Sequence, residues 1–423
     1  MSGATVLRDS IWGDIELDEP ELALIDTPAF QRLRGVRQLG FTDLVYPGAR
    51  HSRFEHSLGV AHLAEATLRR LGSRAGAPAI STEEATAFRA AALLHDVGHY
   101  PFSHAVEELE VSEIRGHEEL AAEIVTSDPI AGILRRRWAV DPDQVAWLVA
   151  GQDSSRATDA ARLLRQALNS GLDVDKLDYL VRDARAANVP YGMVDVERLI
   201  NSFAATCEAG GSPLLAIDPK GVAALQSLVF AKYLMFATVY WHHACRSAVA
   251  MLLRALQEGL RSGSLKARRL ERADDASLIA LLRLPAMPAL TRELAQRLLE
   301  RRLYKRAVEL EMEEPGFAAL EALWERPQER SGLEARWEEE LGLPAASILI
   351  DIPEPKALAA DLPPVLAGGV IQAWDQASGL GTADLVRLER RARRIRLFAS
   401  DIQGAERMRD SWPALLGQLS RFG

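Results

Sequence analysis

The stretch AALLHDVGHYPFSH, residues 91–104, decides how this chain folds. His95 and Asp96 stand side by side at the end of an alanine- and leucine-rich run, and His99 and His104 follow shortly after. Imidazole and carboxylate groups together suit a first-row transition metal or Mg²⁺. The end of a buried helix holds such a pair rigidly, as a metal site requires. The stretch therefore predicts a helical fold built around a metal site.

Histidines are concentrated around this stretch. The chain has nine, and seven of them lie between residues 51 and 117. Isolated histidines in a core or on a surface are the structural alternative, but that alternative suits a single histidine better than a cluster. The clustering favours a functional site.

Length and composition limit the classes of protein to which this chain can belong. With 423 residues the chain exceeds one ordinary core, so two lobes or one large domain with appendages are expected. The net charge of −9 argues against a general nucleic-acid or anionic-membrane binder. The two cysteines, Cys207 and Cys245, form no metal-spaced pair, which is typical of a reducing cytoplasm. The N-terminus has no apolar signal core, and the most apolar span, 221–241, is interpreted as a buried helix with no membrane partner.

Two predicted helices carry candidate ligands on either side of a loop. Ser52 and Glu55 have capping-box spacing, so a helix is predicted to begin there and to place Arg53 and His56 on one face. A second helix is predicted over residues 81–96, with His95 and Asp96 in its last turn.

The chain beyond this second helix carries three more histidines. Gly98 and Pro101 break the regular path, so His99 and His104 are predicted to lie in or beside a turn that faces the His95–Asp96 pair. His117 is predicted to begin the next helix.

A later segment, GLDVDKLDYLVRD at 171–183, places Asp175, Tyr179 and Asp183 on one helical face. Surface charges on an amphipathic helix would explain these residues, and a phosphate site beside Lys176 would explain them equally well. The same helix carries Asp178 and Arg182 four apart, a pair interpreted as a solvated salt bridge.

The remainder, 211–423, is predicted to be mostly helical with a few strands. Charged amphipathic helices are predicted for 268–343, and branched residues predict strands at 347–353 and 393–400. We find no internal repeat, heptad run, P-loop or dinucleotide fingerprint in the sequence.

Several motifs of this sequence resemble those of the HD-domain deoxynucleoside triphosphate triphosphohydrolases. That family includes the SAM-and-HD-domain dNTPase and bacterial dGTP triphosphohydrolases. The order His56, His95-Asp96, Asp175 matches the HD superfamily. The resemblance runs in order between about residues 7 and 255. Its more specific motifs are QLGF, VYPGARHSRFEHSLGVAHLA, LLHDVGHYPFSHAVE, GHEE, DVDKLDYLVRD and AKYLMFATVYWHH. The chain resembles the compact bacterial form, without room for an N-terminal SAM domain.

The resemblance implies a fold and a domain division. The fold is expected to be mainly α, with an HD-type catalytic domain over 1–265, whose helical core covers about 28–262. A mostly helical C-terminal lobe with a few β-strands is expected over 266–423, serving oligomerisation or regulation.

The resemblance also implies which residues form the site. The metal ligands would be His56, His95, Asp96 and Asp175, holding one divalent ion (Mn, Fe, Co, Ni, Zn or Mg), with a second Mg²⁺ on the triphosphate as an option. The histidines near the α-phosphate would be His99, His104 and His117, with His104 as the first choice of proton donor and His99 the second; Asp96 is also placed in the catalytic set.

Substrate contacts follow from the same resemblance. Triphosphate contacts would be Arg53, Lys176, Tyr179 and Lys232, where Lys232 replaces an arginine of some members and loses its two-pronged fork. The sugar 3′-hydroxyl would be held by Gln38 and Asp183, and the deoxyribose would pack against Leu39 and Tyr240.

The implied activity is metal-dependent hydrolysis of a dNTP to deoxynucleoside and triphosphate, in a cytoplasmic homo-oligomer (dimer, tetramer or hexamer) that an activating nucleotide could control. Two alternatives stay open. One is another HD phosphohydrolase acting on monophosphates, cyclic nucleotides or guanosine tetraphosphate, and the other is a non-catalytic nucleotide sensor.

Overall fold

Helices dominate the structure, which is a computed structural model describing residues 5–419 apart from 75, 110, 112, 152–156, 208–210 and 355–361. The first twelve helices are α1 Glu19–Ile25, α2 Pro28–Arg32, α3 Arg53–Gly72, α4 Thr82–Leu94, α5 His117–Thr126, α6 Ile130–Ile133, α7 Pro142–Ala150, α8 Asp159–Leu168, α9 Val174–Ala187, α10 Val196–Ser202, α11 Val222–Met235 and α12 His243–Arg261. The later helices are α13 Ala267–Arg272, α14 Asp275–Leu282, α15 Ala289–Leu299, α16 Phe317–Glu321, α17 Pro327–Glu340, α18 Trp374–Ser378, α19 Thr382–Ala392 and α20 Ile402–Gln418. The expectation of a mainly α fold is confirmed.

The strands form three small sheets among these helices. They are β1 Thr5–Asp9, β2 Gly13–Leu17, β3 Phe203–Cys207, β4 Pro213–Ile217, β5 Lys305–Leu310, β6 Ile348–Asp351, β7 Val365–Ala367, β8 Val370–Gln372 and β9 Ile395–Ala399. The sheet orders are β1-β2, β3-β4-β7-β8 and β5-β9-β6. The helix prediction for 268–343 was incomplete, because β5 interrupts the helices there.

The helices that carry the site begin where the sequence predicts. The Ser52 hydroxyl and backbone N–H both donate to the Glu55 carboxylate, at 2.7 and 2.5 Å, in the predicted capping box at the start of α3. Ser81 caps α4 in the same way, and His95 is the C-cap residue of that helix. Asp173 accepts the Lys176 N–H at 2.8 Å and so caps α9. Side-chain caps of this kind satisfy backbone donors that a helix leaves unpaired, and each contributes about 1 kcal/mol.

The main hydrophobic core surrounds α3, α4 and α9. Phe54, Phe88, Leu94 and Leu177 are all buried within it. Because α3 packs on both α4 and α9, the ends of three helices meet at one place, and the candidate ligands lie on those ends.

The apolar span predicted as a buried helix lies in a helical segment, Pro219–Tyr240, which is long and apolar enough to cross a membrane, with a mean hydropathy of 1.6. In the structure 39% of its most apolar window is buried. Leu225, Leu228 and Val229 join the main core, so one face of this helix packs inside the protein.

The C-terminal part of the chain builds two further cores. One joins α12, α14 and α15, and the other is formed mainly by α17, α20 and the sheet of β5, β6 and β9. The segment around Val365 and Trp374 returns to the main core, where β7 pairs with β4. The division at residue 265 stays a prediction.

Candidate active site

Three of the four predicted metal ligands form a compact group where α3, α4 and α9 meet. Nε2 of His56 lies 3.0 Å from Oδ1 of Asp175 and 3.3 Å from Nε2 of His95. The Nε2 of His95 lies 3.8 Å from the same Asp175 oxygen. Ligands that share one cation at about 2.1 Å lie roughly 3.0–3.4 Å apart. The group therefore has the donor atoms and nearly the spacing that a divalent cation needs.

Asp96, the fourth predicted ligand, lies beside this group. Its Oδ1 is 3.4 Å from Nε2 of His95, and its Oδ2 is 3.8 Å from Nε2 of His56. Arg53 donates to that Oδ2 at 2.7 Å. Burial opposes ionisation of Asp96, but the charges of Arg53, His99 and His95 outweigh it and hold the pKa of the carboxyl well below its usual range. Asp96 is therefore an ionised carboxylate that an arginine holds beside the group.

The protonation of His56 follows from its surroundings. Complete burial lowers its pKa, but hydrogen bonds to Asp175 and Asp178 and the charge of Asp96 outweigh that effect and raise the pKa to about 10. A divalent cation would take the place of the proton on Nε2. The same carboxylates that hold the proton would then stabilise the cation.

The Asp178–Arg182 pair was predicted to be solvated, and that prediction is wrong. Both side chains are 1% exposed or less, and Nε of Arg182 donates to Oδ2 of Asp178 at 2.8 Å. The reason is that the β1–β2 hairpin covers this face of α9, with Asp9 and Trp12 as direct partners. Those partners lie far away in the sequence, so the spacing within one helix gave no sign of burial.

Three histidines lie together outside the metal group, which consists of His56, His95, Asp96 and Asp175. Beside them is a carboxylate that the sequence did not predict as part of the site. The ring centroid of His99 lies 5.2 Å from that of His104 and 3.8 Å from that of His117. Glu107 accepts from Nδ1 of His104 at 2.9 Å and from Nδ1 of His117 at 2.8 Å. Its position three residues after His104 was the available signal, since such residues share a helical face.

The electrostatics of this histidine group differ from those of the metal group. Burial and the charge of Arg53 lower the pKa of His99 well below its ordinary value. Desolvation at the cavity wall lowers the pKa of His104 as well, although its side chain is 55% exposed and its hydrogen bond to Glu107 acts in the other direction. Burial opposes ionisation of Glu107, but its hydrogen bonds to the two imidazoles hold its pKa far below the usual range. An ionised carboxylate that holds an imidazole by one ring nitrogen leaves the other ring nitrogen for proton transfer with a substrate.

Two adjoining cavities connect these groups to the predicted substrate contacts. The smaller, of about 110 Å³, is lined by His95, Asp96, His99 and His117. The larger, of about 380 Å³, is lined by Leu39, Lys176, Asp183, Lys232 and Tyr240. Both are lined by Gln38, Arg53, His104, Asp175 and Tyr179. Every predicted site residue other than the fully buried His56 therefore lines one of these cavities, whose combined size suits a nucleotide.

The cationic groups lie where the cavities join and along the larger one. Arg53 is 3% exposed, and its Nε donates to Ser103 at 3.0 Å while Nη1 holds Asp96. The ammonium of Lys176 donates to Asp173 at 2.7 Å. Burial lowers the pKa of Lys176, but the charges of Asp173, Tyr179 and Asp175 outweigh it and raise the pKa above its ordinary value. Both cations are therefore charged and fixed at the cavity wall.

The far end of the larger cavity holds a chain of three polar side chains. Tyr240 donates its hydroxyl to Oδ2 of Asp183 at 2.6 Å, and Nε2 of His51 lies 2.8 Å from Oδ1 of the same carboxylate. The backbone carbonyl of His51 accepts from the N–H of Gln38 at 3.1 Å. Oε1 of Gln38 is buried without a hydrogen-bond partner among the described residues. His51 was not predicted as a site residue, because its sequence neighbours give no ligand pattern.

A helical core that brings two histidines and two aspartates together beside a histidine-lined cavity defines an HD-type metal-binding protein. The HD domain model matches residues 53–183, and the model of the HD associated region matches residues 194–410. The chain belongs to the HD-domain phosphohydrolase family.

Relatives include characterised and uncharacterised proteins. An uncharacterised protein of Methanocaldococcus jannaschii is 33% identical over 304 residues, covering 72% of this chain and 59% of the relative. The uncharacterised protein YwfO of Bacillus subtilis is 35% identical over 236 residues, covering 55% and 50%. The deoxynucleoside triphosphate triphosphohydrolase SAMHD1 of Gallus gallus is 31% identical over 278 residues, covering 60% and 45%. The chain thus spans about half the length of the curated relatives it matches.

A solved structure resembles the whole fold. The crystal structure of a hypothetical protein from Aquifex aeolicus matches with a TM-score of 0.72 and 26% identity, covering 98% of this chain and 100% of that chain. The arrangement of the helices around the site is therefore shared with that protein.

Proposed function

We propose that this protein is a metal-dependent dNTP triphosphohydrolase that cleaves at the α-phosphorus and releases deoxynucleoside and inorganic triphosphate. One observation carries the proposal: residues of the metal group and the Asp183 carboxylate line two adjoining cavities that share five lining residues, and the cations Arg53 and Lys176 also line them. A triphosphate needs the cations, and a deoxyribose needs a polar contact at its 3′-hydroxyl and close packing at its 2′-carbon.

The metal would be held by His56, His95, Asp96 and Asp175. When bound, a divalent cation lowers the pKa of water and withdraws charge from phosphorus. The donor set of two imidazoles and two carboxylates suits Mn, Fe, Co, Ni, Zn or Mg. A second Mg²⁺ carried in on the triphosphate is compatible with it.

The phosphate chain would lie against Arg53, Lys176, Tyr179 and Lys232. Fixed cations in a cavity of low polarity stabilise the negative charge that builds on phosphoryl oxygens as the bond breaks. Arg53 is held by Asp96 and Ser103, so it needs no rearrangement to present its remaining N–H groups.

The leaving group in this reaction is the 5′-oxygen of deoxyribose, which needs a proton as the bond to phosphorus breaks. Glu107 holds Nδ1 of His104, so Nε2 is the ring nitrogen that remains available to the cavity. We assign His104 as the proton donor, with His99 as the second choice and His117 as a neighbour that shares Glu107.

Selection of deoxyribose would come from Leu39 and Tyr240, and the 3′-hydroxyl would be read by Gln38 and Asp183. The unpartnered Oε1 of Gln38 and the ionisable carboxylate of Asp183 can both accept a hydrogen bond from that hydroxyl. A 2′-hydroxyl against the leucine side chain and the tyrosine ring would be buried without a partner.

Assembly and control are part of the proposal. Relatives with the printed name deoxynucleoside triphosphate triphosphohydrolase support a dNTP substrate. We further propose a cytoplasmic homo-oligomer, which an activating nucleotide could regulate, with the region after residue 265 contributing to assembly.

The test is incubation of the purified protein with each dNTP and NTP, with Mn²⁺, Mg²⁺ or Co²⁺, followed by chromatography of the products. The proposal expects deoxynucleoside and intact triphosphate. Release of phosphate from monophosphates, opening of cyclic nucleotides or cleavage of guanosine tetraphosphate would favour the other HD phosphohydrolase activities. A metal-loaded protein that binds nucleotides but converts none would favour the sensor.

A further inference from the structure

A buried chain of hydrogen bonds runs from the N-terminal hairpin to one metal ligand. Nδ1 of His56 lies 2.8 Å from Oδ2 of Asp178. Oδ1 of the same carboxylate accepts from Nε1 of Trp12 at 2.5 Å. Arg182 donates to both carboxylate oxygens through Nε and Nη2, at 2.8 and 2.9 Å. Asp178 therefore accepts from three side chains and has no rotational freedom left.

The chain continues into the turn of the hairpin. Arg182 donates through Nη1 to Oδ2 of Asp9 at 2.8 Å. Oδ1 of Asp9 in turn accepts the backbone N–H groups of Ile11 and Trp12, both at 2.8 Å. Since Asp9 organises the turn and the guanidinium binds Asp9, the position of Arg182 depends on the hairpin being formed.

The packing around Asp178 leaves no room for a side chain at residue 59. Gly59 lies on α3 one turn after His56, and a Cβ placed there would stand 1.9 Å from Oδ1 of Asp178 and 2.5 Å from Nη2 of Arg182. Asp178 is 0% exposed and Arg182 is 1% exposed. The two helices approach so closely because residue 59 has no side chain.

The donors around Asp178 decide which nitrogen of His56 faces the metal. An arginine and an indole can only donate, so the carboxylate is an acceptor and Nδ1 of His56 must carry the proton that it donates. Nε2 is then left to face Asp175 and His95. A metal-bound histidine that donates its other N–H to a carboxylate is fixed in orientation and is a stronger ligand.

We propose that the β1–β2 hairpin sets the metal affinity of the site, with Asp9, Trp12, Arg182 and Asp178 acting as positioning residues for His56. This inference rests on the metal site of the proposed function and is independent of which phosphate ester is cleaved. The hairpin contributes no ligand of its own. It positions the Asp178 carboxylate, which in turn positions the imidazole of His56.

The test is the affinity of the metal-stripped full-length protein for Mn²⁺, measured by calorimetry, with the unfolding temperature of the metal-free protein measured in parallel. Trp12→Phe keeps a six-membered aromatic ring opposite His62 and removes the indole N–H donor together with the five-membered ring. Loss of one such hydrogen bond is expected to weaken Mn²⁺ binding about three- to tenfold. Asp178→Asn is expected to weaken it about 10–100-fold.

Matched controls separate positioning from general damage. Trp138→Phe also removes an indole donor, which here binds the carbonyl of Pro20 at 3.0 Å. Asp351→Asn also neutralises a buried carboxylate bound by an arginine, Arg246. Both controls are expected to change the unfolding temperature and to leave the Mn²⁺ affinity within about twofold of the unmodified protein.

The outcomes distinguish the two proposals. If the unmodified protein binds Mn²⁺ and Trp12→Phe and Asp178→Asn bind it equally well, the role of the hairpin is refuted and the proposed function stands. If the unmodified protein binds no divalent cation, both proposals fail. The absorption spectrum of the Co²⁺-loaded protein gives a second readout if Asp178→Asn does not fold, since Trp12→Phe should alter it and Trp138→Phe should not.

Discussion

Glu107 binds Nδ1 of His104, the ring nitrogen opposite the Nε2 that is proposed to protonate the leaving group. The carboxylate accepts from Nδ1 of His104 at 2.9 Å, and its other oxygen accepts from Nδ1 of His117 at 2.8 Å. A carboxylate in this position fixes the tautomer of an imidazole and stabilises its protonated form. The pairing supports the proposed role of His104 as a general acid that protonates the leaving group through Nε2.

Replacement of His104 tests this assignment. His104→Ala is expected to lower kcat by about 10²–10⁴-fold, the usual contribution of a general acid. The metal content, measured by elemental analysis, is expected to stay that of the unmodified protein. His243→Ala is a matched control, because His243 is a half-buried histidine that lines neither of the two cavities. Loss of metal in His104→Ala would instead make this residue a ligand.

Discrimination between deoxyribose and ribose tests the sugar end of the cavity. A 2′-hydroxyl buried without a partner costs about 1–3 kcal/mol, which corresponds to roughly 5–150-fold in kcat/KM. Hydrolysis of dATP is therefore expected to exceed that of ATP by at least this factor, and Tyr240→Ala is expected to narrow the difference. Equal kcat/KM values for ATP and dATP in the unmodified protein would refute the assignment.

His51 provides a test of how the 3′-hydroxyl is read. Its imidazole lies 2.8 Å from Asp183 and its carbonyl accepts from the N–H of Gln38, so it fixes both residues that are proposed to contact this hydroxyl. His51→Ala is expected to lower kcat/KM about tenfold for a dNTP and to have little effect on the corresponding 2′,3′-dideoxynucleotide. An equal loss for both substrates would indicate general damage.

The sequence predicted where His56 and His95 lie because each follows a local pattern that fixes its helix, and the family resemblance implied their role as ligands. Ser52 and Glu55 begin α3, so the register of His56 follows from the capping box, and the alanine-rich run of α4 ends at His95. Glu107, His51 and Trp12 were missed for a different reason. Their roles depend on contacts with residues brought close only by the tertiary fold, such as Trp12 with Asp178, which are 166 positions apart.

Proton release tests the electrostatics of the metal group. The pKa of His56 is raised to about 10, so the imidazole carries its second proton at neutral pH. That proton stabilises the metal-free protein fully below the unfolded pKa of about 6.5, and the contribution is lost as the pH rises through about 10. A metal must displace the proton, so its apparent affinity should rise with pH up to about 10.

Calorimetry of Mn²⁺ binding in buffers of different ionisation enthalpy measures this proton directly. At pH 7.5, a value chosen for the assay, about one proton is expected to be released per metal bound. Binding without proton release would show that His56 is already neutral.

In the proposed reaction, water attacks the α-phosphorus of the dNTP and the triphosphate is released intact. The most direct measurement is hydrolysis of a dNTP in ¹⁸O-labelled water with Mn²⁺, followed by mass spectrometry of the products. We expect one ¹⁸O atom in the inorganic triphosphate and none in the deoxynucleoside. Label in the deoxynucleoside, or products made of a nucleoside monophosphate and pyrophosphate, would contradict it.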